Sequence, residues 1–456
     1  MRGRLTKKEK LLEIMWNLTV IFSSVILYFV VITDAEPARY DGFKLLRVKA
    51  THKTDMEFVR KIYDSGDEKL DFWREPRTPD QMIDIMVAPS HEVYARGLLE
   101  HDGITVHSVM EDVQRAIDEQ IKVNEEMDDE DQLFFGNYQN LSMIDDWMIQ
   151  LSEVYPEIVS TFQIATSYEK RPINCLKVGA PSPTGAVKQA IFLLGGMHSR
   201  EWISPATVMY MTKELIEGYA VEDDDMKALL DGLDWYILPV LNVDGYVFTF
   251  ESYRLWRKTR SKPKGNRCTG ADPNRNWDFH WGVSGVSTLT CDDTYAGPFA
   301  FSETEVKQLS VYLTGLVERQ PVFAFLDFHA YSQYWMTPYG YDNVLPDNYE
   351  DQLSLALNAT SAIEQINGTK YDVGSIADVI YKAAGNSADY AHGVLGVPFC
   401  YAVELPDKGD HGFLLPPRYI IPVGQETLEA IKVIGQAGLG YLGNETAKMA
   451  PSLTTA

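Results

Sequence analysis

Early in the chain, the spacing of apolar residues alternates between strand and helix patterns. FKLLRVKA (43–50), KLDFWRE (69–75), QMIDIMVA (81–88) and ITVHSVME (104–111) place apolar residues as strands do. THKTDMEFVRKIYDSG (51–66) and SHEVYARGLLEHDG (90–103) repeat them at helical spacing. The order β-α-β-β-α-β predicts a small ferredoxin-like, split βαβ unit. VQRAIDEQIK (113–122) continues as a helix toward the rest of the chain.

Farther on the pattern shifts to longer apolar runs. QAIFLLGG (189–196), VFAFLDF (322–328) and VPFCYAVEL (397–405) read as buried strands, the first stopped abruptly by its two glycines. Behind it, Ser204 is the expected N-cap and Pro205 the first residue of a helix that carries Val208, Met211, Leu215 and Tyr219 on one face. Buried strands alternating with helices predict an α/β architecture.

The ends of these strands carry the candidate chemistry. His198 and Glu201 lie three positions apart on the turn after the first run, where both can reach one cation, and Zn²⁺ suits that pair best. Alone, such a pair is an ordinary surface turn. A catalytic zinc site wants a third protein ligand and an open position, and His329 at the end of the second run is the candidate. A strand-end histidine satisfied by hydrogen bonds is the plain alternative. The helical arrangement H-E-x-x-H is absent, because His91-Glu92 is followed by Ala95 where the second histidine belongs. Glu404 closes the third run, a carboxylate on an apolar segment that suits either a general base or a strand-end ion pair. Arg254 and Arg257 in RLWRKTR, Asn274 and Arg275 in PNRNW, and Tyr381 in IYKAAGNSADY can recognise a free carboxylate, which guanidinium groups bind bidentately. Read by itself, RLWRKTR is also compatible with a solvated basic loop.

Taken in order, these segments resemble one family. GGMHSREWISP, NVDGYVFTF, RLWRKTR, DPNRNWD, TYAGPFAFSE, LDFHAYSQ, MTPYGY and VELPDKGDHGFLLP are together similar to the zinc metallocarboxypeptidases of the digestive A/B subfamily, over most of residues 133–440. The resemblance implies an α/β fold with a mixed central sheet and helices on both faces, preceded by a small α+β ferredoxin-like propeptide domain. It implies one zinc per chain on His198, Glu201 and His329, with Glu404 as general base and Arg257 stabilising the oxyanion. Asn274, Arg275 and Tyr381 match the clamp on the substrate's terminal carboxylate, and Arg200 and Arg254 match accessory subsites more loosely. Cys268 and Cys291, which flank the DPNRNW loop, match the family's disulfide. The implied reaction removes one residue at a time from the carboxyl end of peptides and proteins.

Within that family, B-type enzymes carry an Asp at the base of the side-chain pocket, and the matching position here is Ala388. With Ile376, Ala383 and Met336 as expected walls, this implies A-type preference for aliphatic or aromatic terminal residues. A B-type enzyme and a catalytically silent zinc- or peptide-binding relative are the alternatives. Ala388 disfavours the first, and the presence of Glu404 with all three ligands disfavours the second.

Composition and the chain ends add compartment and partners. A chain of 456 residues with 45% hydrophobic content can bury a large core, and a net charge of −24 argues against nucleic-acid binding. MRGRLTKKEK is basic, Leu18 to Ile32 are nearly all apolar, and Thr33-Asp34-Ala35 offers a cleavage site before Glu36, so residues 1–35 read as a secretory signal of an extracellular protein. Residues 36–122 read as the activation propeptide, with YDGFKLLRV, LDFW and EDVQ resembling family propeptides. Residues 123–132 read as an acidic linker, 133–445 as the catalytic domain and 446–456 as a tail. A monomer without stable membrane association is expected, with an activating protease as partner. VNEEMDDEDQ is acidic where relatives carry basic processing residues, leaving Lys122 as the single Lys or Arg between Arg115 and Lys170. Processing at Lys122 is therefore expected to be slow, or to fall to a protease of another specificity. Cys175 and Cys400 could be buried thiols or a second bridge, and Asn140, Asn358, Asn367 and Asn444 begin sequons compatible with glycosylation.

Overall fold

The computed structural model describes residues 36–76, 79, 81–100, 103–122, 134–262, 265 and 267–445. The expected signal, acidic linker and C-terminal tail lie outside the described residues.

The first unit has the predicted ferredoxin-like order. Strands β1 (Lys44–Ala50), β2 (Asp71–Phe72), β3 (Met82–Val87) and β4 (Ile104–Met110) form an antiparallel sheet in the order β2-β3-β1-β4, with α1 (Lys53–Asp64) and α2 (Glu92–Leu99) between them in the chain. The two-residue period of β1 sends neighbouring side chains to opposite faces. Leu46, Val48 and Ala50 pack with Met56, Val59 and Ala95 in the small unit's own core. Leu45, together with Met86 and Trp73, belongs instead to the core of the larger unit. The sheet therefore has no solvated apolar face, because its second face is docked.

That docking carries specific polar contacts. Asp84, fully buried on β3, accepts from Arg47 Nε at 2.8 Å and from the Tyr331 hydroxyl at 2.8 Å. Gln120, on α3 (Val113–Ile121), donates to the carbonyl of Leu415 at 2.9 Å, and the ring of Trp73 lies 5.2 Å from that of Phe413.

The larger unit is built on eight strands: β5 (Val159–Thr166), β6 (Pro172–Val178), β7 (Gln189–Leu194), β8 (Leu233–Leu238), β9 (Val322–Ala330), β10 (Tyr334–Thr337), β11 (Asp372–Ser375) and β12 (Phe399–Leu405). Their order is β11-β10-β12-β9-β7-β8-β6-β5. The centre, β12-β9-β7-β8, is parallel, while β5, β6 and β10 add antiparallel pairings. Every residue of β7, β8 and β9 is buried, which is why these segments read as continuous apolar runs rather than alternating ones. Helices α4 (Leu141–Val154), α5 (Ile203–Ala220), α6 (Asp224–Gly232), α7 (Val243–Glu251), α8 (Thr304–Arg319) and α9 (Tyr349–Asn367) join or cover the strands, followed by α10 (Ile376–Val379), α11 (Ser387–Gly393) and α12 (Ile420–Glu445). Of these, α5 and α9 pack against α12, and α8 packs against β5.

The chain leaves β7 for β8 on one side and places β9 on the other, so a crevice opens at the carboxyl ends of β7 and β9. Gly195 and Gly196 let the chain turn there. A Cβ on Gly196, which has φ of +59°, would lie 2.8 Å from the Cα of Val240. Ser204 is not the N-cap expected from its position. It lies inside the first turn of α5, and its hydroxyl accepts from Gly196 N at 3.0 Å and donates to the Phe328 carbonyl. A residue type that suits a cap is used here to tie the ends of β7 and β9 together.

Candidate active site

The turn after β7 carries His198 and Glu201, and the end of β9 carries His329. His198 Nδ1 lies 2.9 Å from Glu201 Oε1, and His329 Nδ1 lies 3.1 Å from both His198 Nδ1 and Glu201 Oε2. All three residues are buried, and their ligand atoms lie within 4.8 Å of one another. Each outer ring nitrogen faces a carboxylate: His198 Nε2 is 3.0 Å from Asp272 Oδ1, and His329 Nε2 is 3.0 Å from Asp327 Oδ2. A proton on each Nε2 satisfies those carboxylates and leaves both Nδ1 lone pairs facing the Glu201 carboxylate. Three acceptors converging on one point repel unless positive charge sits among them. Against the opposing effect of burial, Asp327 and Glu201 hold the His329 pKa well above its ordinary value. Two imidazoles and one carboxylate, opening onto a cleft, are the donor set of a catalytic zinc site.

Glu404 stands beside this group because β12 pairs with β9 and brings Glu404 opposite His329. Burial first, and the neighbouring Glu201 second, push its carboxyl up to about 7. Arg257 donates to Asp272 through Nη2 at 2.9 Å and places Nη1 3.6 Å from Glu201 Oε1. Although burial acts the other way, Arg257 and His198 hold the Asp272 carboxyl well below its usual range.

The turn Pro273–Arg275 is capped by Asp272, whose Oδ1 accepts from Asn274 N at 2.9 Å. Arg275 donates to the Tyr381 hydroxyl at 2.9 Å, to the Gly285 carbonyl at 2.9 Å and to the Asn274 carbonyl at 2.9 Å. A disulfide joins Cys268 to Cys291 and encloses this turn, whereas Cys175 and Cys400 are buried free thiols. Arg200 pairs with Asp293 at 3.0 Å and lies over the ring of Phe413 at 4.2 Å.

His198, Glu201, His329, Glu404, Arg200, Arg257, Asn274, Arg275 and Tyr381 all line one cleft of about 1130 Å³. Its far wall comes from the small unit, including Asp71, Trp73, Arg74 and Glu75. Met336, Ile376 and Ala383 also line it, as expected, with Ile380 and Ala402. Two residues singled out from the sequence stand apart. Arg254 is drawn away to Gln120 Oε1 at 2.8 Å and to the carbonyls of Arg200 and Phe413, stacked over Trp202. Ala388 is buried in α11 and does not reach the lining. Asp272, Asp327 and Asp293 were not singled out beforehand. For Asp327 a signal existed, since an acidic residue within the apolar run VFAFLDFHA is costly unless used.

Comparison with known proteins agrees with this geometry. The family model described as zinc carboxypeptidase matches residues 144–430, and the model described as carboxypeptidase activation peptide matches residues 46–120. Carboxypeptidase A2 of Mus musculus is 40% identical over 396 residues, covering 86% of this chain and 93% of that protein. Carboxypeptidase B of Astacus astacus is 44% identical over 299 residues, covering 65% of this chain and 96% of that protein. The crystal structure of thrombin activatable fibrinolysis inhibitor superposes with a TM-score of 0.80 at 30% identity, covering 87% of this chain and 98% of the other. Carboxypeptidase A from Helicoverpa armigera gives a TM-score of 0.79 at 28% identity, covering 89% and 99%. A buried His-Glu-His group inside the first match, under a small sheet inside the second, places this chain among the zinc carboxypeptidases, as a metallocarboxypeptidase that carries its own activation peptide.

Proposed function

We propose that the chain is a secreted zymogen whose mature form cleaves the C-terminal peptide bond of peptides and proteins, with A-type preference. The observation that carries this reading is the convergence, in one cleft, of the His198-Glu201-His329 group, Glu404 and the Arg275-Tyr381 pair. His198, Glu201 and His329 would hold the zinc, which when bound would supply the Lewis acidity for water to act as a nucleophile near neutral pH. Glu404 would take a proton from the attacking water and pass it to the leaving amine. Arg257, kept charged by Asp272, faces the oxygen on which negative charge develops. Asn274, Arg275 and Tyr381 hold the terminal carboxylate, which sets which bond lies beside Glu404.

The relatives' names divide between A and B types, so the pocket argues the preference. Met336, Ile376 and Ala383 are apolar, and the nearby carboxylate of Asp389 is spent on the backbone N–H groups of Gly340 at 2.8 Å and Tyr341 at 3.0 Å. A terminal Arg or Lys would meet no free buried anion there. On matched peptides, kcat/KM for terminal Phe or Leu is expected to exceed that for Arg or Lys by about 10²-fold or more. A preference for Arg or Lys would overturn the pocket assignment.

The domain division follows the same reading: 36–122 as activation propeptide, 133–445 as catalytic domain, with the first sheet covering the cleft until processing near Lys122. Lys122 is exposed at the end of α3, and no helix among the described residues is long and apolar enough to cross a membrane. A chelator assay on a peptide ending in Phe, before and after proteolytic activation, tests the whole. Turnover should rise on cleavage, vanish with chelator and return with zinc. Turnover that ignores the chelator would refute it.

A further inference from the structure

The metal group is tied to α11 through buried polar contacts. Asp327 and His329 are two apart on β9 and so share a face. Asp327 is fully buried, a costly place for a carboxylate unless its oxygens are occupied. Its Oδ2 carries two contacts, His329 Nε2 at 3.0 Å and the Ser387 hydroxyl at 2.5 Å, while Oδ1 has no hydrogen-bond partner among the described residues. The carboxylate's orientation thus depends on those two contacts. Ser387 begins α11, next to Ala388, and its backbone N–H donates to Asn274 Oδ1 at 2.9 Å. That bond turns the Asn274 amide nitrogen toward His329 Nε2, at 3.1 Å. Two groups therefore compete for His329 Nε2. The carboxylate wins its proton, because a charge-assisted bond is about twice as strong as a neutral one.

We infer that Asp327 and Ser387 are positioning residues for the zinc ligand His329, and that through them α11 is linked to the metal group. The inference rests on the zinc reading of the site. Asp327 keeps the proton on Nε2 and leaves Nδ1 bare and more basic toward the metal, while Ser387 stops the carboxylate from rotating. His198 has a comparable partner in Asp272, but that carboxylate is shared with Arg257, whereas Asp327 reports to the α11 side of the cleft.

The test measures zinc dissociation from the full-length chain by competition with a chromophoric chelator, alongside far-UV circular dichroism and melting of the zinc-free protein. Asp327→Asn should weaken zinc binding about 10- to 100-fold with the zinc-free fold unchanged. Ser387→Ala should weaken it on the order of threefold to tenfold, and Ser387→Thr, which keeps the hydroxyl, should restore it. Zinc binding by Asp327→Asn as tight as that of the parent chain would overturn the inference and leave the zinc reading standing. Should Asp327→Asn fail to fold, equal affinity for Ser387→Ala and the parent would overturn it instead. A parent chain that takes up no zinc would sink the zinc reading and this inference together.

Discussion

Replacing Glu404 with Gln is expected to lower kcat/KM on a peptide with a free terminal Phe by about 10³- to 10⁴-fold, with zinc content unchanged. The amide keeps the size of the carboxylate and its place on β12 opposite His329, so the metal group stays intact while the group that accepts the proton is lost. The pH profile gives an independent check. A base works only when ionised, and burial together with Glu201 lifts the Glu404 carboxyl to about 7. For the parent, kcat/KM should therefore rise with pH along an acid limb. A bound dication would draw the pKa down again, so the limb should lie at or below about 7. In Glu404→Gln the residual rate should lose that limb. A variant that keeps a tenth of the parent rate, or the same limb, would remove Glu404 from the role of base.

Arg275→Ala is expected to lower kcat/KM by about 10²- to 10³-fold for a peptide with a free terminal carboxylate, chiefly through KM. Arg275 is buried, and its guanidinium already reaches the Tyr381 hydroxyl and the carbonyls of Gly285 and Asn274, so it needs little reorganisation to receive a carboxylate. The decisive comparison uses the same peptide with an amidated end. The parent should discriminate strongly against the amide, and the variant should treat the two nearly alike. If Arg275→Ala still discriminated as the parent does, the carboxylate would be read elsewhere in the cleft, and Arg257 would be the next candidate. Melting of the zinc-bound variant separates this from loss of the turn, which the Cys268–Cys291 disulfide and the Asp272 cap also hold.

Much of the scaffold was legible because its cues are local. In β1, Leu46, Val48 and Ala50 face one core while Arg47 and Lys49 alternate with them, which shows as a period of two; strands buried on both faces, as β7 and β9 are, show continuous apolar runs. Ser204 shows the limit of local cues. Its type and position suggested a cap, yet the strands that meet beside it gave the hydroxyl another use.

By itself the sequence determined the elements of the small unit and the strands β7, β9 and β12 of the larger one, and it placed His198, Glu201, His329 and Glu404 at the ends of buried runs, since periodicity and run ends are set by neighbours in the chain. The tertiary structure alone decided their partners. That β9 lies between β7 and β12 brings three distant segments together; packing sets Asp272 and Asp327 behind the two histidines and brings Asp71, Trp73, Arg74 and Glu75 of the small unit to the cleft. It also drew Arg254 to Gln120 and left Ala388 buried in α11, outside the cleft's lining. The physical reason is common to all of these. Sheet order and docking are settled by total burial and by the pairing of buried charges, sums over residues far apart in the chain that no local spacing encodes.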